Sequence, residues 1–229
     1  MNNHLINLST KDAEDVGFLN SVKNLSAHMQ NKMFYTTEIN KLHKGIKIYE
    51  SFRTKNLRQR FFDECTFDNA DFYQASLAGS LFNNCQFYPS NFYDTNLQSC
   101  DFRQCNFKNL HFESTRFNKS IFYDVVFEKC VFESAIFNDS IFDNCKFINC
   151  DWVPLSIENA VFRNTYLTNL KIRKMNFEYV TFDNVAMDNV KLPFPTIPFI
   201  YNGLTYISKT HDNIKITSAK NRDGISIEE

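Results

Sequence analysis

The stretch IFNDSIFDNCKFINCDW, Ile136 to Trp152, brings back an aromatic ring at every fifth residue: Phe137, Phe142, Phe147 and Trp152. Five is the period of neither common element. An α-helix would turn successive members of such a series through about 140° and smear them around its circumference. A flat strand would send them alternately to opposite faces. The series extends in both directions without an insertion or a deletion. From Leu57 to Leu192 all 28 positions taken in fives are large and apolar, and 19 of the 25 Phe residues lie among them. Such a repeat decides the architecture before any local propensity does.

Each large residue is the centre of a five-residue unit. The residue two before it is small or medium, as at Cys65, Ala70, Ala75, Ser80, Cys85, Ser90, Thr95, Cys100 and Cys105. Residues two apart in extended chain share a side, so the centre and the small residue point inward together. The residue between them points outward, and the two after the centre turn a corner.

The units CTFDN, ADFYQ, ASLAG, CDFRQ and CNFKN resemble those of the pentapeptide-repeat proteins. The resemblance implies an all-β fold, a right-handed quadrilateral β-helix with one unit per side and four per coil. Unlike the family pattern, this chain uses Phe far more than Leu, and it places Leu110, Leu155, Leu170 and Met175 at the small position. Four sides predict a correlation at 20 residues. Leu57, Leu77 and Leu97 obey it, as does the all-Phe column Phe62, Phe82, Phe102, Phe122, Phe142, Phe162 and Phe182. About seven coils at a strand spacing of ~4.8 Å make a rod of roughly 34 Å.

A solenoid needs both ends covered. The expected division is an N-terminal helical cap at 1–56, the β-helix at 57–192 and a C-terminal cap or hairpin at 193–229. Ser9 or Thr10 can cap a helix whose first turn carries Asp12, Glu14 and Asp15. Val16, Leu19, Val22, Leu25 and Met29 then recur at helical spacing to about Asn31. Near the other end, NIKIT and ISIEE alternate around the turn sequence NRDG.

The chemistry-bearing residues point away from catalysis. All seven Cys occupy the small inward position, where Cys serves as a compact buried residue, and a column along a wall does not converge on a metal ion. An odd cysteine count fits a reducing compartment. The five His are scattered, and no phosphate loop, nucleophile elbow or His-based metal motif appears. No cofactor or metal site is expected, and a convex rod offers little to enclose a substrate. With no stretch of about 18 apolar residues and no secretory signal, the reading is a non-enzymatic, cytoplasmic bacterial protein with no membrane or direct nucleic-acid contact.

Two surface features remain. The outward position just before the centre is normally polar, but one column reads Phe61, Leu81, Asp101, Ile121, Ile141, Val161 and Thr181. Its apolar members Phe61, Leu81, Ile121, Ile141 and Val161 form a candidate interaction surface, or else the bed for the N-terminal helix. Pro198, Phe199, Ile200 and Tyr201 are candidate dimer or cap contacts, since dimers through the C-terminal end are common in the family. The second feature is acidic: from Phe61 to Cys145 there are 12 Asp/Glu against 5 Lys/Arg. Some gyrase-protecting members of the family mimic DNA, so the resemblance admits DNA gyrase as a partner. However, DNA would show ~12 charges over the ~20 Å this region spans, more than the net charge here. The expectation is an interaction scaffold for a protein partner or a second copy, with a gyrase-binding DNA mimic as the alternative.

Overall fold

The computed structural model describes residues 42–173, 180–190 and 215–218. Its strands are short, two to four residues each, and every pairing between them is parallel. They stack into four walls. Wall one is a nine-stranded sheet running from Leu42–Lys44 through Phe61–Asp63 and its successors to Thr181–Asp183 and Lys215–Ser218. Wall two is an eight-stranded sheet from Lys47–Ile48 to Ala186–Asp188. Wall three consists of a three-stranded sheet, Val131–Glu133, Asp151–Val153 and Lys171–Ile172, preceded by single bridges from Ser51 to His111. Wall four is a ladder of bridges joining Asn56, Ser76, Asn96, Arg116, Ile136 and Ser156. From Phe61 to Asp188 the register between coils is 20 residues on all four walls, as the sequence requires of a square coil.

The centres fill the interior. Within a wall the rings lie nearly parallel, with centroids 4.7 Å apart for Phe82–Phe102 and 5.0 Å for Phe102–Phe122. Around a corner they meet edge to face, as in Phe102–Phe107 at 5.4 Å and 69°. Both are geometries that the aromatic quadrupole favours, worth about 0.5–1.5 kcal/mol per pair beyond the area buried. Phe102, Phe112, Phe117, Phe122, Phe127 and Phe132 are wholly buried. This is why the chain prefers Phe to Leu: a flat ring stacks at the spacing that the strand ladder imposes.

The small inward residues have a second task. Thr95, Thr115, Ser120 and Ser140 each donate a hydroxyl hydrogen bond of 2.7–2.8 Å to the carbonyl of the centre 23 residues earlier. Cys85, Cys100, Cys105, Cys130, Cys145 and Cys150 aim Sγ at the equivalent carbonyl, at 3.3–3.5 Å. Cysteine thus stands in for Ser or Thr as a weak donor. Leu110, Leu155 and Leu170, larger than the position usually takes, are buried inward all the same. Met175 lies outside the described residues.

Each corner is turned by the residue two after the centre. It takes a left-handed conformation, with φ between 48° and 61° in 23 non-glycine residues, ten of them Asn. Asn is the side chain that tolerates this region best after Gly. Its amide also links coils, as in the ladder from Asn149 through Asn169 to Asn189 at 3.0 and 2.8 Å. Pro89 and Pro154 occupy the same place in their units and, with φ fixed near −65°, cannot adopt it. Their carbonyls instead accept from Asn69 N–H and Ser134 N–H, both at 2.9 Å.

Leu42–Lys44 is already part of the solenoid, ahead of the boundary of 57 read from the sequence. Leu42 pairs with Phe61 and Lys47 with Thr66, an offset of 19, whereas Ser51 pairs with Asp71, an offset of 20. The first coil is therefore one residue short between Ile48 and Ser51, which throws its centres out of phase with the rest. Its centre on wall one is His43, stacked on Phe62 at 4.7 Å. The amphipathic segment 10–31 lies outside the described residues. Of the expected C-terminal hairpin, Lys215–Ser218 is a strand, and it pairs with Thr181–Asp183 with a register shift at Phe182/Asp183; the rest lies outside them.

Candidate functional site

The outward column on wall one is brought into line as expected: Phe61, Leu81, Asp101, Ile121, Ile141, Val161 and Thr181 are partners in successive registers. Exposure divides it in two. Ile121, Ile141, Val161 and Thr181 are half-buried. Phe61, Leu81 and Asp101 are only 7%, 4% and 2% exposed, although they point away from the core. The open surface is therefore Ile121, Ile141 and Val161, with Tyr123, Asp143 and Arg163 beside them at the next outward position. Tyr123 is exposed, and the Arg103 guanidinium sits 5.4 Å from its ring centroid. An apolar strip with an aromatic and charged border is the usual anatomy of a protein-docking patch. The same register on the other walls is mostly polar, as in Asn56, Ser76, Asn96, Arg116, Ile136 and Ser156 of wall four. Pro198, Phe199, Ile200 and Tyr201 lie outside the described residues.

Five of the twelve carboxylates in the acidic region face a Lys or Arg. Lys44 pairs with Asp63 at 3.4 Å, Arg53 with Asp71 at 3.0 Å, Arg116 with Asp94 at 3.1 Å and Lys108 with Glu128 at 2.9 Å. Arg103 lies 3.4 Å from the buried carboxylate of Asp101. The Lys108 hydrogen bond holds the Glu128 carboxyl below its ordinary range. All but the Arg103–Asp101 pair run across coils, so these bases sit among the acids rather than on a separate face.

The cysteine thiols shift in both directions: hydrogen bonding to Cys85 and to Cys130 lowers those of Cys65 and Cys150. All seven are buried and reduced. Burial pushes the Cys145 thiol up to about 12, and burial likewise raises Cys85 and Cys130 well above the ordinary range. A thiol held in that form is a poor nucleophile and a poor metal ligand. Sequence reasoning passed over one group on wall three. His111, Glu113 and Glu133 bring their ligand atoms within 4.8 Å of one another, close enough to share a cation. His111 and Glu133 are about half exposed and already contact each other at 3.2 Å. Also unread was a surface ladder on wall three, where Arg53 stacks 4.0 Å over Tyr73 and Tyr73 stacks on Tyr93 at 5.2 Å.

Three family profiles match: a pentapeptide repeat region over residues 120–193, nine copies of pentapeptide repeats over 62–106 and eight copies over 90–128. The chain belongs to the pentapeptide-repeat family. No curated protein sequence matches it significantly. Solved structures similar to this pentapeptide-repeat chain include full-length QnrB1, a plasmid-mediated fluoroquinolone resistance protein, at 14% identity over 77% of this chain and 93% of that one, with a TM-score of 0.41. Another is HetL, involved in heterocyst differentiation regulation in the cyanobacterium Nostoc, at 10% identity over 88% and 99%, with a TM-score of 0.39. A third is Rfr23 from the cyanobacterium Cyanothece, at 14% identity over 68% and 95%, with a TM-score of 0.27. Among the described residues no helix is long and apolar enough to cross a membrane.

Proposed function

We propose that this pentapeptide-repeat protein is a non-enzymatic scaffold that docks a protein partner, or a second copy of itself, on wall one. The observation that carries the reading is the run Ile121, Ile141 and Val161. These three β-branched side chains lie in consecutive registers on an outward face, half-exposed and bordered by Tyr123 and Arg163. A branched side chain on a rigid parallel ladder loses little freedom when it is covered, which favours binding. Among the described residues the interior is filled by stacked rings, which leaves no lumen there for a small molecule. The ion pairs that cross the acidic region weigh against a surface imitating DNA, which needs its charges unpaired.

Light scattering and affinity capture on the wild type, Ile141→Asp and Ile136→Asp test the reading. Ile136 is outward on wall four and serves as the control. The expected outcome is a partner or dimer held by the wild type and Ile136→Asp and lost at least ~10-fold by Ile141→Asp, the scale of one desolvated charge in an apolar contact. Equal behaviour of all three proteins rejects wall one as the docking face.

A further inference from the structure

We propose that His111, Glu113 and Glu133 form a site on wall three for one divalent first-row transition-metal ion such as Zn2+. The register builds it. His111 and Glu113 are two apart in one rung, so both side chains leave the same side of the wall. Glu133 stands over Glu113 in the next rung, since His111 pairs with Val131 and Ser114 N–H donates to the Glu133 carbonyl at 2.8 Å. The three residues bring one imidazole and two carboxylate ligand atoms within 4.8 Å of one another. His111 Nε2 lies 3.2 Å from Glu133 Oε2. Two ligand atoms each ~2.0–2.2 Å from a shared zinc are about 3–3.5 Å apart, so this pair is already spaced for it. The backbone beneath is held by the ladder, with Phe112 N–H on the Val131 carbonyl at 2.8 Å and Asp94 N–H on the Glu113 carbonyl at 2.9 Å. Rotation of the Glu113 side chain alone completes the triangle.

The charge on the wall points the same way. Elsewhere on wall three and its corner, carboxylates face fixed cations: Asp71 faces Arg53 at 3.0 Å, Asp94 faces Arg116 at 3.1 Å, and Asp151 faces Lys171 and Arg173 at 3.8 and 3.6 Å. Glu113 and Glu133 are stacked in adjacent rungs, where like charges repel. Among the described residues neither has a Lys or Arg within ion-pair distance, and their one basic neighbour is His111. The residues before and after them in the same columns, Asn91, Tyr93, Val131 and Val153, are uncharged. One imidazole brings at most a single positive charge to two carboxylates, whereas a divalent ion offsets both. The donor set selects the ion. An imidazole nitrogen beside two carboxylates suits Zn2+, Co2+ or Ni2+, while Mg2+ and Ca2+ take oxygen ligands. Three protein ligands leave a coordination position open to water. The bound ion ties two adjacent coils together on the face opposite wall one, so the site stands or falls separately from docking there.

Isothermal titration of the full-length protein with ZnCl2, in a buffer that does not chelate, tests this. The wild type is expected to bind Zn2+ at a site that His111→Ala, Glu113→Gln and Glu133→Gln each weaken at least ~10-fold, since losing even an outer partner of a metal ligand costs that much. Glu158→Gln, which changes an exposed carboxylate on wall four, is the control and should match the wild type. MgCl2 in place of ZnCl2 should bind at least ~10-fold more weakly. The substituted side chains all point outward, and an unchanged circular dichroism spectrum separates a lost site from a lost fold. A wild type that takes up no Zn2+ overturns the inference. So does uptake that survives both His111→Ala and Glu113→Gln, which would place the ion on other histidines or on thiols. Uptake lost in His111→Ala but unaltered in Glu113→Gln also overturns it, because the third ligand is then not one. Equal binding of Mg2+ overturns the choice of a transition-metal ion.

Discussion

At the residue scale the corner asparagines decide whether the chain can coil at all. A residue at φ near +53° costs an ordinary side chain roughly 1–2 kcal/mol, and a β-branched one more. Asn169 combines that conformation (φ 53°) with hydrogen bonds to Asn149 and Asn189. Asn169→Val is therefore expected to destabilise the fold by about 2–3 kcal/mol in urea unfolding. Asn169→Gly, which keeps the conformation and loses only the ladder, should cost about 1 kcal/mol. Equal losses for the two would show that the amide ladder, rather than the backbone, sets the cost. The ten corner asparagines were visible in the sequence as part of the polar pair after each centre. Their left-handed role was not, because Gln, Lys, Ser and Asp fill the same position elsewhere and only the backbone reveals what they share.

At the scale of a single coil, the first one behaves differently from the rest. Its wall-one centre is His43 where the other coils place Phe. Burial, reinforced by the nearby Arg60 guanidinium, lowers the imidazole from 6.5 to about 4. Between those values the unfolded chain binds a proton that the folded one refuses, so stability is complete above pH 6.5 and falls as the pH drops toward 4. With the ring's partial solvent access allowed for, the loss is roughly 1–2 kcal/mol. His43→Phe continues the ring column and should remove this part of the acid sensitivity; a pH series of urea midpoints for the two proteins checks it. The same coil shows where sequence reading stops. From Leu57 onward the centres, the small positions and the 20-residue register were legible, because burial at a fixed period tolerates no slip. The coil from Leu42 was missed because one residue is absent between Ile48 and Ser51. The outward apolar column was found, but not its division, since exposure at Phe61 and Leu81 is a property of the packed surface and not of the repeat. The cysteines read correctly as small buried residues, and the structure adds that their thiols point at carbonyls as hydroxyls do.

At the scale of the whole molecule, a stack of parallel rungs in register is the same geometry that amyloid fibres propagate indefinitely. This rod ends one wall with Lys215–Ser218, a strand out of sequence phase whose register slips at Phe182/Asp183. A slipped terminal rung is a poor template for further growth, since an incoming chain would meet mismatched donors and acceptors. Such a strand is expected to stop polymerisation. Substituting Ile216→Pro should unseat it and leave Thr181–Asp183 as a clean growing tip, so that the protein lengthens into filaments that bind thioflavin T and scatter light in proportion to concentration. A variant that stays the size of the wild type at high concentration would mean that chain termination is achieved elsewhere on the rod.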